Sequence, residues 1–315
     1  MRSASVPTPA RRVATGKANR VTVCIASLFT WYHTDGTTQL AVLTASDRMI
    51  TAGDIEYEPN QIKMTTFTRR IVGLFAGDFP THSDAIAITR AALASDPSMN
   101  VAQVADTYGA ALAKMRRKRA ETTILAPLGL TSDAFLSRQH ELAPSLVSDL
   151  SLQLQSYPAS DTEALIVGSD DTSGYIYQVD GAGHVNCYND VNFAAIGIGG
   201  WHARSQLMLS QYAIGHGLAE AMVAVYRAKK SAEVAPGVGQ RTDMYTITRD
   251  GLEIVHPDAF AAVDEQYNEQ YNKYKGARDL LLNSAVNDLM AILNERSGQQ
   301  KPPSSPPPPS AAPEA

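Results

Sequence analysis

The order of strand-like and helix-like stretches constrains this chain more than any single residue does. Stretches 22–29, 39–45 and 70–76 are runs of β-branched and apolar residues, the pattern of buried strands. Asp35-Gly36 between the first two is a hairpin signal. Helical spacings follow. Stretch 84–93 carries Ile86, Ile88 and Ala91 to Leu93, and 101–118 carries Ala102, Val104, Ala105, Tyr108 and Leu112. Stretch 131–156 reads as a more polar helix closed by Tyr157-Pro158. Then come four short strands at 163–169, 174–180, 184–188 and 192–198, and helices at 205–214 and 218–229. A hairpin over 242–256 turns at Asp250-Gly251, and one or two long helices occupy 257–296. Blocks of strands alternating with blocks of helices predict an α+β domain rather than a βαβ winding. Two antiparallel sheets between helix layers satisfy this order.

Composition narrows the function classes. The 315 residues are 44% hydrophobic and 19% charged, enough to build a sizeable core. A net charge of −5 argues against a nucleic-acid partner, which selects for basic excess. No apolar run approaches the ~20 residues of a membrane span. Two cysteines, Cys24 and Cys187, make neither a disulfide scaffold nor a zinc cluster, and a reducing, cytoplasmic compartment is expected. The seven histidines show no metal-ligand spacing, so no metal is expected. No cofactor is expected either: Gly197-Ile198-Gly199-Gly200 lacks the Lys-Ser/Thr of a phosphate loop.

The ends differ from the middle. Residues 1–21 hold five basic and no acidic residues and no apolar core of a secretory signal; they read as a disordered extension or propeptide. Residues 298–315 hold seven of the seventeen prolines and read as a disordered tail. This leaves a main domain at 22–256 and a helical extension at 257–297.

Four positions then stand out. Asp47, in Ala45-Ser46-Asp47-Arg48, and Lys63 lie sixteen residues apart. A threonine, Thr22, opens the strand before them, and a small-residue turn, Ala76-Gly77-Asp78, closes the strand after them. Amide hydrolysis by a threonine hydroxyl needs a base, and an N-terminal threonine brings its own α-amine, with a pKa of ~8. A lysine ammonium stabilises the alkoxide, and a carboxylate holds that lysine. A backbone N–H at a strand-end glycine can face the oxyanion. Taken singly, each residue has a commoner explanation: a strand threonine, a hairpin-end aspartate, a surface lysine. The joint order carries the reading.

Stretch 22–78 resembles the first half of a proteasome β-type subunit, and of the bacterial proteasome-like N-terminal-nucleophile hydrolases. The resemblance extends by eye to about residue 256, through Leu165-Ile166-Val167-Gly168 and Tyr175 to Gly181. It implies a four-layer α-β-β-α sandwich and a catalytic set of Thr22, Asp47, Lys63 and Gly77. Thr51 and Arg48 would contact substrate, and Glu233 falls near the family's second carboxylate. It also implies a homo-oligomeric ring or spiral around a chamber, peptide or unfolded-protein substrates, and room for an ATP-dependent unfoldase partner. The departures are specific. Ile198 stands where the family has a serine, Pro236 near a second serine, and Val21 where a glycine precedes the nucleophile. Thr22 would become a terminus by autolysis at Val21-Thr22, or by translation starting at residue 21.

The expected activity is therefore that of a threonine peptidase. Two alternatives share the fold: a small-molecule amidase, and a non-catalytic self-assembling scaffold. The alternation Asp54, Glu56, Glu58 reads as a solvated strand face.

Overall fold

The computed structural model describes residues 22–52, 55–58 and 63–298, with side chains at 22–49, 58 and 63–293. Residues 1–21, the tail from 299 onward, and Asp54 lie outside them. The chain is mixed α+β with two antiparallel five-stranded sheets. The first sheet is built from β1 (Cys24–Tyr32), β2 (Thr38–Ser46), β10 (Phe193–Ile196), β11 (Asp243–Thr248) and β12 (Gly251–Ile254), in the order β10-β1-β2-β11-β12. The second is β5 (Met64–Thr68), β6 (Ile71–Gly77), β7 (Thr162–Ser169), β8 (Gly174–Asp180) and β9 (Val185–Cys187), paired in chain order. A two-stranded ribbon, β3 (Ile50–Ala52) with β4 (Ile55–Tyr57), lies between β2 and β5 in the chain.

Strand alternation decides what each face meets. On β1, Cys24, Ala26 and Leu28 join Val72, Leu74 and Ala76 of β6 and Leu165, Val167 and Ile176 of β7 and β8 in one buried cluster. The first sheet therefore presents one face to the second. The intervening residues of β6 and β7, namely Ile71, Phe75, Ala164 and Ile166, point the other way. They pack against α1 (Phe79–Ser95) and α2 (Val101–Ala120) through Ala85, Ile86, Leu93, Val104, Tyr108 and Leu112. A two-residue period on each strand thus feeds two separate cores. Helices α5 (Gly200–Leu209) and α6 (Leu218–Ala232) adjoin β10, β1 and β2 of the first sheet.

Local chemistry sets the helix starts. The carboxylate of Asp78 caps α1 by accepting from Thr81 N at 3.2 Å. Asn100 and Gln103 exchange side-chain and backbone bonds at the start of α2, a capping box.

Two expectations needed correction. The single helix expected over 131–156 is α3 (Ser132–Arg138) and α4 (Pro144–Gln155) with a 3₁₀ turn between. Pro144 has no N–H to continue a helix and opens the second one instead. The helix expected at 205–214 begins at Gly200 and ends at Leu209, before Gln211 with its φ of 50°.

The long helix α7 (Pro257–Gly298) is continuous. Its first residues belong to the compact unit ending at Val263, where Phe260 meets Tyr226 edge-on at 5.5 Å. The second unit begins at Asp264 and exposes Leu280, Leu281, Leu282, Val286 and Leu289.

Leu165, fully buried between the sheets, should cost about 2–5 kcal/mol when cut to alanine, because the cavity cannot collapse. Leu281→Ala, on an exposed helix face, should stay within about 0.5 kcal/mol. Chemical denaturation of the two variants checks the contrast.

Candidate active site

Three of the expected residues meet. Thr22 lies at the entry to β1, Asp47 just past the end of β2, and Lys63 immediately before β5. The Thr22 hydroxyl donates to Asp47 Oδ1, and Lys63 Nζ donates to Thr22 Oγ1 at 2.5 Å and to Asp47 Oδ1 at 3.0 Å. Each member therefore touches the other two. The register explains how: Cys24 pairs with Ser46 across β1 and β2, so the start of β1 and the end of β2 lie side by side.

A buried carboxylate is costly unless it is paired and hydrogen-bonded. Asp47 is fully buried. Its Oδ1 also accepts from Val23 N at 3.0 Å, and its Oδ2 accepts from Met49 N at 3.1 Å and Gly239 N at 2.9 Å. With Thr22 and Lys63 that makes five donors. Thr22 is itself only 1% exposed.

Gly77 ends β6 with a φ of 102°, where a Cβ would sit 1.9 Å from Asp161 O. Glycine is required there. The direction of its N–H follows from strand alternation. Ser169 N bonds Arg70 O, so even-numbered residues of this stretch turn their polar groups to β7 and odd-numbered ones to β5. Strand β5 begins at Met64, opposite Leu74, so it ends before reaching Phe75 and Gly77. Phe75 O on that edge instead accepts from the Cys24 thiol at 3.6 Å. The Gly77 N–H therefore points to the edge of β6 that Lys63 approaches.

The other expected residues are used differently. Arg48 forms a two-pronged ion pair with the buried Asp243, with Nε to Oδ2 at 2.7 Å and Nη2 to Oδ1. This pairing raises the Arg48 pKa further, chiefly through the hydrogen bonds that Arg48 donates to Asp243, and ties the end of β2 to β11. Its guanidinium is thus engaged inside the domain. Thr51 lies in β3, and its side chain falls outside those described. Glu233 caps the end of α6 and pairs with Lys229 at 2.5 Å and Lys230 at 3.1 Å. It reaches Asp47 only indirectly. Lys229, fully buried, also donates to Gly239 O and Gln240 O at 2.8 Å each, and Gly239 N holds Asp47.

No protein-family model matches this chain, and no curated protein matches it.

Reading the sequence passed over three supports. Lys229 falls on the buried stripe of α6 with Met222, Val225 and Ala232; a lysine in an apolar stripe, with Glu233 one turn on, was the available signal. Burial lowers its pKa, opposed by Glu233. Glu163 accepts from Gly197 N at 3.0 Å, and a Cβ on Gly197 would lie 2.3 Å from Thr22 O. This turn, with Gly199 N on Thr22 O at 3.3 Å, grips the threonine backbone. Ile198 in that turn adds no side-chain hydrogen bond. Cys24, two residues on, is buried beside the trio, and burial pushes its thiol up to about 12. Among the described residues, no group of three His, Cys, Asp or Glu could hold a metal ion, and no helix is long and apolar enough to cross a membrane.

At pH 8 a thiol with that pKa is ionised in about one molecule in 10⁴, and the thiolate is the reactive form. A disulfide-exchange reagent should therefore count one fast thiol, the exposed Cys187, and a second only on unfolding. Lys229→Met should cost about 2–4 kcal/mol, since it strands the two loop carbonyls of Gly239 and Gln240. Thermal unfolding of that variant checks it.

Proposed function

We propose that this chain is a proteasome-like threonine peptidase, built as a four-layer α-β-β-α sandwich. The observation carrying the proposal is the mutual contact of Thr22, Asp47 and Lys63. Each of these residues has a commoner role alone; the carboxylate's need for donors accounts for Asp47 being paired, and the reading rests on the hydroxyl being held between that carboxylate and the ammonium. The layered reading is supported by the face-to-face cluster of the two sheets, with α1 and α2 packed beyond one and α5 and α6 beside the other.

The chemistry needs the Thr22 amine free. That amine takes the hydroxyl proton as Oγ1 attacks the substrate carbonyl carbon, forming a C–O bond. Lys63, 2.5 Å from Oγ1, stabilises the negative charge on it, and Asp47 keeps Lys63 in place. Negative charge on the former carbonyl oxygen falls to the Gly77 N–H. The amine proton then passes to the leaving nitrogen as the C–N bond breaks, and water hydrolyses the resulting ester in a second round. The same hydroxyl, acting on the preceding peptide bond at Val21-Thr22, would release the terminus; Val21 lies outside the described residues. Ile198 supplies no hydroxyl to the amine, so turnover should be slow.

A second reading rests on burial. Thr22 at 1% exposure is out of reach of a peptide, which suits a non-catalytic scaffold if the residues ahead of it stay attached. Mass measurement of the natively expressed protein, with a covalent probe for N-terminal threonine, separates the two. The peptidase reading expects a chain beginning at Thr22 that takes up one probe. A terminus at Met1 and no labelling would select the scaffold.

In the active form, Thr22→Ala should abolish cleavage of a blocked peptidyl-coumarin amide. Lys63→Met should lower kcat by about 10²–10³, the scale of losing one charge-stabilising group. Steady-state kinetics on the full chain decides, and unchanged rates in both variants would sink the assignment.

A further inference from the structure

A buried histidine that the mechanism above leaves idle sits against the peptide that the mechanism uses. His82 is 1% exposed, one turn into α1. Its Nε2 lies 3.0 Å from Ala76 O, and its Nδ1 lies 2.6 Å from the hydroxyl of Tyr108 on α2. A carbonyl only accepts, so Nε2 carries the proton and Nδ1 accepts from Tyr108. Burial holds the His82 pKa below its ordinary value, in keeping with this neutral form. The chain of donors runs Tyr108 O–H to His82, and His82 N–H to the Ala76 carbonyl.

That carbonyl belongs to the same peptide plane as the Gly77 N–H. Among the described residues there is no cis peptide, so the two groups point in opposite directions. His82 grips one side of the plane while the other faces the edge that Lys63 approaches. A hydrogen bond to the carbonyl strengthens the N–H as a donor, by about 10–30% for each bond in the chain. It adds to the hold that β7 has on this peptide through the pairing of Ala76 with Glu163, just before Gly77, whose φ of 102° is one that glycine adopts readily. The grip is itself anchored. Asp78, next after Gly77, caps α1, and Arg119 of α2 donates to Thr81 Oγ1 at 2.9 Å. Phe75 packs on the His82 ring at 4.9 Å between centroids.

We propose that His82 and Tyr108 are positioning residues for the Gly77 amide, orienting and polarising it as the oxyanion donor. The inference rests on the peptidase reading. The test uses the full chain with a blocked peptidyl-coumarin amide, and follows the Gly77 amide proton by NMR. His82→Phe should lower kcat about three- to tenfold with KM unchanged, less than outright loss of a donor. It should also shift the Gly77 resonance upfield. His82→Gln, which can donate to Ala76 O and accept from Tyr108, should restore most of both. An unchanged kcat in His82→Phe, or equal losses in the Phe and Gln variants, would overturn the proposal. Should His82→Phe fail to fold, Tyr108→Phe removes a single oxygen and carries the same expectation. Thr22→Ala that leaves hydrolysis unchanged would mark failure of the peptidase reading instead. The Gly77 resonance then decides alone: moved in His82→Phe, it sustains the positioning role; unmoved, it overturns it.

Discussion

The carboxylate of Asp47 is the point on which the site's geometry depends. It is fully buried, and such a group is tolerated only when its lone pairs are filled. The five donors that fill them come from separate stretches of the chain: Thr22 and Val23 before β1, Met49 after β2, Lys63 before β5 and Gly239 before β11. Between them these stretches belong to both sheets. Moving Lys63 would leave an unpaired buried charge, at a cost comparable with much of a domain's net stability, and moving any of the others would strand a buried lone pair. The hydroxyl and ammonium are thus held by the same requirement that keeps the sheet ends together. Lys229 extends the constraint outward, because it holds the two carbonyls of the loop that presents Gly239.

This explains which parts of the molecule were legible in the sequence. The strands of the two sheets announce themselves because each has a two-residue period or is buried on both faces, as in Leu165-Ile166-Val167. The Thr22, Asp47 and Lys63 trio was legible through order and spacing along the chain, since all three sit at strand ends where register fixes position. The break at Pro144 was legible in principle, through the missing N–H. Arg48 was not. Its partner Asp243 lies 195 residues away, and nothing local distinguishes an arginine facing a substrate from one facing a neighbouring strand. Glu233 shows the same limit: its neighbour Lys229 is one helical turn away, but the tie from there to Asp47 runs through a loop backbone. Backbone-mediated links leave no residue-type signature.

His82 belongs with these illegible features. In the sequence it is one polar residue near the start of a helix, and a surface position would be the default. Its role depends on which carbonyl meets its ring, and that is set by the turn at Gly77-Asp78 and by α2 bringing Tyr108 alongside. The apolar cluster beneath α1 and α2 adjoins a polar chain ending at the Ala76 carbonyl. A fully satisfied polar chain in a core rigidifies the groups it joins. Here the chain terminates on the Ala76–Gly77 peptide, whose N–H points to the edge of β6 that Lys63 approaches. Support for the threonine hydroxyl comes from the ends of β2 and β5, one in each sheet, and support for the glycine amide comes from the helices packed on the second sheet. The reacting centre would lie where those supports converge.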